Sequence, residues 1–290
     1  MKFRKNLSVL LCILLSCLCF AGCNGVDDYP VSVGGTNITK QPQKVVAFSE
    51  QAASAIFALG YDSYLVGAPA EFLETEIAGI TNIGYTRFVD FEKVYDLKPD
   101  VVIVPGQLEA SYLESMKLRD IAVVTLETPT KYSEIGPYYL ALSKLFLGNN
   151  NYSEAYDACY GEIQRTVKSV KLLNNGVNKK VAVFVEPDFP ITGDTLGGEA
   201  LKEAGFNNIG EGFEYYMMSN DEIIAANPDV IFCNIGDSEA ILSKESYKTI
   251  TAVKNAAVYE IDVSALAFAA EGFTAVLQDM TTYLSKVKLK

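Results

Sequence analysis

The chain has no histidine and no tryptophan. Without histidine it cannot build His-ligated zinc or manganese sites, a Ser-His-Asp triad or a Cys-His pair. It also lacks a GxGxxG turn between a strand and a helix, a phosphate-cradling Walker loop and a CxxC pair. Four of the six cysteines (Cys12, Cys17, Cys19 and Cys23) crowd the N-terminus. Only Cys159 and Cys233 remain beyond them, in different predicted elements, so no disulfide framework is expected. Basic residues are scarce as well. Beyond residue 22, 21 lysines and arginines face 36 acids. That surplus of negative charge excludes nucleic acid as a partner and excludes broad adhesion to anionic lipid. Carboxylates abound, yet no pair stands out as a catalytic acid and base.

Long apolar runs are nearly absent too, and the one exception is informative. Lys2, Arg4 and Lys5 precede an apolar stretch from Leu7 to Gly22. It is shorter than the roughly 20 apolar residues of a membrane span, and reads as a secretory signal. Phe20-Ala21-Gly22-Cys23 resembles the lipobox of bacterial lipoproteins, with Phe20 where leucine is commoner. The resemblance implies cleavage after residue 22, diacylation of Cys23, and a place on the outer face of the cytoplasmic membrane. Two acyl chains anchor stably where one does not. Residues 23–37 are polar and glycine-containing, which suits a tether.

Short β-branched runs then alternate with helical segments, the pattern of an α/β fold with mainly parallel sheets. Strands are expected at 44–49, 64–67, 101–104 and 121–126. Helices are expected at 51–59, 91–97, 108–117 and 132–147. Residues 152–173 read as a helix of roughly 33 Å. A second α/β series starts at 181–185, continues through 196–204, 221–226, 230–233 and 258–261, and closes with a helix at 272–287. The expected organisation is a signal at 1–22, a tether at 23–37, an N-terminal lobe at 38–130, a helical connector at 131–178 and a C-terminal lobe at 179–290.

The two series echo each other. FEKVYDLKPDVVIV in the first matches NDEIIAANPDVIFC in the second, and Glu92 and Asp221 each lie seven residues before a proline, Pro99 and Pro228. Two similar lobes facing one another across a cleft are expected, and domain interfaces often hold ligands.

These pieces, with PQKVVAFSEQAASAIFALGYDSYLVG, GGEALKEAGFNNIG and ITAVKNAAVYEID in order, resemble the substrate-binding proteins of ABC importers for iron complexes, haem and cobalamin. The resemblance covers nearly all of the chain beyond Val31. It implies two Rossmann-like lobes joined by one long helix, no enzymatic activity, no intrinsic cofactor, a monomer, and a permease dimer with its ATPase as partner. It also implies one docking acid per lobe, at Glu92 and Asp221. Aspartate is shorter than the family's usual glutamate, so adjacent Glu222 is an alternative.

The ligand stays open between haem, a corrinoid and a ferric siderophore. Gly84-Tyr85-Thr86-Arg87 resembles a stretch of haem-binding members and tilts the reading toward haem. Tyr85 would then ligate iron and Arg87 would support it. Tyr85 could equally stack on another flat ligand. Loops at strand C-terminal ends are the usual ligand edge of such sheets. They point to Ser49, Glu50, Tyr85, Arg87 and Gln107 in the first lobe, and to Phe189, Tyr215, Tyr216 and Phe268 in the second. A surface-anchored sensor or adhesion module with the same fold is the competing expectation; fold alone does not decide between them.

Overall fold

A computed structural model describes residues 28–73, 77–270 and 272–287. The expected signal and Cys23 lie outside them. Two sheets organise the chain. The first runs in the order Thr81–Asn82, Leu65–Ala68, Val45–Ala47, Val101–Val104, Ala122–Thr125, with every pair parallel. The second runs Phe189–Pro190, Lys180–Glu186, Val230–Cys233, Val258–Glu260. Its long strands are parallel, and the short Phe189–Pro190 edge is antiparallel. Val101–Val104 and Val230–Cys233 are buried at all four positions. That is why both read as unbroken apolar runs: helices cover both faces of a parallel sheet.

The internal repeat has a structural cause. Phe91–Leu97 and Asn220–Ala226 are both seven-residue helices, and each stops at a left-handed residue, Lys98 or Asn227. A proline and an aspartate follow in both. Asp100 Oδ2 accepts from the backbone N–H groups of Gln43 and Lys44, at 2.7 and 2.9 Å. Asp229 Oδ2 accepts from the N–H of Lys180, at 2.8 Å. Each aspartate therefore ties the end of its helix to the start of its lobe's first long strand. The helix N-termini are thereby turned to the other end of the sheets, where the strands finish.

The lobes are joined by Tyr132–Leu147 and a helical run over 153–174, whose Asp157–Gly161 section is a π-helical turn. The run packs on Leu196–Glu203 and on the closing helix Phe273–Lys286. Gly136 lets the two connector helices approach, since a Cβ there would lie 2.7 Å from the Tyr160 ring. One apolar cluster extends from Val45 and Ile103 through Leu142 and Val167 to Val183 and Leu277. Hydrogen bonds tie the connector to the second lobe, among them one from the Asn174 amide to Ala204 C=O at 3.0 Å. The Tyr139 hydroxyl donates to Ala269 C=O at 2.6 Å, and the Tyr132 N–H donates to Glu199 at 2.7 Å.

Part of the expected tether is folded instead. Val31–Val33 and Thr36–Ile38 form an antiparallel hairpin with Val31, Val33 and Ile38 buried. Asp28 accepts from the side-chain amides of Asn150 and Asn151 and, through its carbonyl, from the Asn149 N–H. The tether expectation thus fails from residue 28 onward. Alternate valines with a Gly34-Gly35 turn make a strand pair too short to show a period.

Candidate functional site

Because the strands of each lobe are parallel, their C-terminal ends gather at one end of the molecule, and two hollows open there. The larger, about 500 Å³, lies between Thr128–Thr130 at the end of the first lobe and the second lobe's Asp194, Tyr216, Asn234 and Ser264. The smaller, about 340 Å³, has Glu50, Ser54, Phe57 and Phe72 on one side and Asp262, Ser264 and Phe268 on the other. Ser264 borders both, so they are parts of one cleft between the lobes.

The sequence-derived residues fall into three groups. Glu50, Tyr216 and Phe268 are in the cleft walls. Ser49 is buried and caps the Glu50–Ala58 helix by accepting from the Ala52 N–H at 3.3 Å, so it positions Glu50. The rest stand outside both hollows. Tyr85 and Arg87 sit on a hairpin formed by Gly84–Tyr85 and Phe88–Val89. Gly84 has φ +97°, and a Cβ there would lie 2.4 Å from the Phe88 carbonyl oxygen, so only glycine permits this tight turn. Glu71 anchors the hairpin by accepting from the Thr86 N–H at 3.1 Å. Tyr85 is 59% and Phe88 79% exposed, which presents two aromatic faces to solvent. Gln107 is exposed after Val101–Val104, and Phe189 is exposed on the antiparallel edge.

Tyr215 and Tyr216 show the clearest sign of a built site. Both are in the left-handed region, at φ +57° and +58°, which is unfavourable for bulky residues and persists only where surroundings enforce it. Thr192 and Asp194 enforce it here. The Tyr215 N–H donates to Asp194 Oδ2 at 2.9 Å, and the Tyr216 N–H donates to Thr192 Oγ1 at 3.0 Å. Thr192 Oγ1 in turn donates to Asp194 Oδ1 at 2.6 Å. Desolvation alone would raise the Asp194 pKa, but the bonds from Thr192 and Tyr215 outweigh it and hold the carboxyl low. Desolvation, then the Asp194 charge, raise the Tyr216 phenol. Sequence reasoning found the tyrosines and missed Thr192 and Asp194, since nothing in Thr-Gly-Asp-Thr announces a distant loop as its partner. It also missed Asn234, which donates to Val185 C=O at 2.7 Å and accepts from the Val263 N–H at 3.0 Å, fixing the cleft floor.

At the same end of the molecule, Glu92 and Asp221 each occupy the second position of their helices. Both are exposed, with no side-chain partner among the described residues. Glu222 differs. Its carboxylate accepts from the Ser219 N–H at 2.8 Å and the Ser219 hydroxyl at 2.7 Å, closing a capping box. Those bonds, the hydroxyl's first, lower its pKa. Among the described residues no cluster of acids and cysteines could hold a metal ion. Cys159 and Cys233 are both free thiols. A third hollow, about 650 Å³, lies at the opposite end, where strands begin, and is lined by Lys40, Lys98 and Arg119.

Known proteins share this fold. The periplasmic binding protein family model matches residues 45–265. An uncharacterized ABC transporter substrate-binding lipoprotein of Bacillus subtilis (strain 168), YvrC, is 24% identical, covering 89% of this chain and 90% of that one. The petrobactin-binding protein YclQ of the same organism is 23% identical over 88% and 84%. The periplasmic heme-binding protein HutB of Vibrio cholerae superposes with a TM-score of 0.69 at 16% identity, over 83% of this chain and 98% of that one.

Proposed function

We propose a function on one premise: this chain belongs to the periplasmic binding protein family. It is a substrate-binding protein of an ABC transporter for iron–siderophore, haem or cobalamin type ligands, and not an enzyme. The finer reading is a monomeric receptor held on the outer face of the cytoplasmic membrane by lipid on Cys23. It captures a metal chelate or tetrapyrrole between its lobes, then docks on a permease dimer through Glu92 and Asp221, and the permease's ATPase drives uptake.

The observation that carries this reading is the equivalence of Glu92 and Asp221. A carboxylate in a helix's first turn gains about 0.3–1 kcal/mol from the macrodipole. That would account for either acid alone. It does not account for two unpaired, exposed acids at the same position of two matching helices, both at the cleft end. A pair of arginines on a two-fold partner can engage such carboxylates bidentately. Glu222 is committed to Ser219, which supports Asp221 over Glu222 as the second lobe's docking acid. The connector's bonds to Ala269 and Glu199 fasten it to the second lobe, which favours small lobe movements on capture.

The test is a visible-absorption titration of the soluble chain starting at Asn24, with haem, a cobalamin and a ferric tris-hydroxamate in turn. Saturable binding of one of them is expected, weakened by substituting Tyr216 or Phe268 with alanine. Should none of the three bind saturably, the chelate-receptor reading fails.

A further inference from the structure

Counted from their caps, the two acid-bearing helices share more than the acid. The residue just before each cap, Asp90 or Ser219, turns inward. Val89 shares an apolar cluster with Val94, and Met218 shares one with Ile223. Each pair joins the position before the cap to the fourth helical position, the arrangement of a hydrophobic staple. In both lobes the residue one place earlier faces the opposite way. It is Phe88 in the first lobe and Met217 in the second, 79% and 74% exposed. The staple accounts for that position facing water. It does not account for a large apolar side chain there, since a polar residue would serve the fold as well. Yet both lobes have one, each four residues before the exposed acid Glu92 or Asp221.

Both side chains stand on stiff backbone. Phe88 closes the hairpin whose turn needs Gly84. Met217 follows the left-handed Tyr215 and Tyr216 that Asp194 and Thr192 hold, and its own N–H donates to Glu214 C=O at 2.9 Å. A surface fixed in advance loses little freedom on binding. Exposed apolar groups beside charged ones mark protein contacts, and Phe and Met are enriched in such contacts. Neither residue lines the cleft hollows, which argues against the chelate as what covers them. A second copy of this acidic chain on the same face would set Glu92 and Asp221 against the same acids, and an anionic lipid surface would meet the same repulsion. A protein that offers a cation beside an apolar hollow, twice over, fits both the acids and their apolar neighbours.

We propose that Phe88 and Met217 are the apolar anchors of the permease contact: each enters an apolar hollow of one permease subunit, beside the cation that takes Glu92 or Asp221. This rests on the docking reading and deepens it. The acids speed encounter and set orientation, and the buried anchors set how long the complex lasts. Burying one such side chain is worth roughly tenfold or more in affinity.

The experiment follows uptake by the full chain in cells that depend on it, with chelate binding by the purified soluble chain in parallel. The probe is whichever of haem, a cobalamin and a ferric tris-hydroxamate binds in the titration above. Phe88→Ser with Met217→Ser should lower uptake at least about tenfold, while chelate affinity and the circular dichroism melt stay unchanged. Phe88→Leu with Met217→Leu should restore uptake, because leucine buries as well as either native side chain. Glu92→Arg with Asp221→Arg is the reference that tests docking itself. Normal uptake by the serine variant, with uptake lost in the arginine one, would overturn the anchors and leave the docking acids standing. Weaker chelate binding by the serine variant would also overturn them, since both residues would then serve the cleft. A leucine variant no better than the serine one would rule out burial as their role. Normal uptake by the serine and arginine variants alike would overturn the anchors and the docking reading together. Binding of none of the three probes would overturn the receptor reading and the anchors with it.

Discussion

The Glu92 helix and the Asp221 helix are one unit built twice, and they differ in how their first turn is held. Asp90 caps the first by accepting from the Lys93 N–H at 3.3 Å. Ser219 caps the second with a reciprocal box closed by Glu222. A third-position acid is thus consumed in one lobe and replaced by lysine in the other. The second position is left free in both. An acidic side chain near a helix start is therefore no guide to docking until the cap has been assigned. The clamps at the far ends differ as well. Asp100 receives two backbone N–H groups, while Asp229 receives one from Lys180.

The largest expected effect breaks that second contrast. Asp100→Ala leaves the N–H groups of Gln43 and Lys44 without their acceptor and should cost about 1–3 kcal/mol in urea unfolding. Asp229→Ala should cost less, since one donor is lost. Equal losses would mean that the clamp acts through something other than these bonds. Next in size is the cap itself. Ser219→Ala should cost about 0.5–2 kcal/mol. It should exceed Asp90→Asn, which keeps an acceptor at its cap, and thermal unfolding of the two variants measures the difference. Smallest is the pH effect. Ser219 holds the Glu222 carboxyl below its ordinary value of 4.5. A lowered folded-state pKa contributes stability above the unfolded value and loses it as pH falls through the folded one. The stability advantage of the wild type over Glu222→Gln should therefore be present at neutral pH and shrink below pH 4.5. An advantage that grew on acidification would contradict the capping box.

Much of this architecture is legible in the sequence, for reasons visible in particular elements. Phe91–Leu97, Val101–Val104, Tyr132–Leu147 and Val230–Cys233 end where their patterns place them. Each is closed by a proline, glycine or left-handed residue, or is an apolar run buried on both faces. The two-lobed plan is legible because the Pro-Asp clamp repeats. The Val31–Ile38 hairpin is not, because three-residue strands carry no measurable period. The π-helical turn at Asp157–Gly161 is likewise invisible in a helical pattern. Position at strand ends leads to Tyr216 and Phe268 in the cleft walls, but equally to Tyr85, Phe189 and Tyr215, which stand outside both hollows, and it does not reveal what supports Tyr215 and Tyr216. Thr192 and Asp194 hold Tyr215 and Tyr216 across more than 20 residues of chain, and such a pairing exists only in three dimensions. The docking proposal's preference for Asp221 over Glu222 likewise rests on the Ser219 geometry.

One measurement tests the central claim most directly. In cells that depend on this chain for uptake of its chelate, Glu92→Arg and Asp221→Arg are introduced together, and both uptake and chelate binding by the purified protein are followed. Loss of uptake with unchanged binding is the predicted result, and Glu222→Gln should leave uptake intact. Normal uptake by the doubly reversed protein would contradict the account, because receptor and permease would then meet through some other surface.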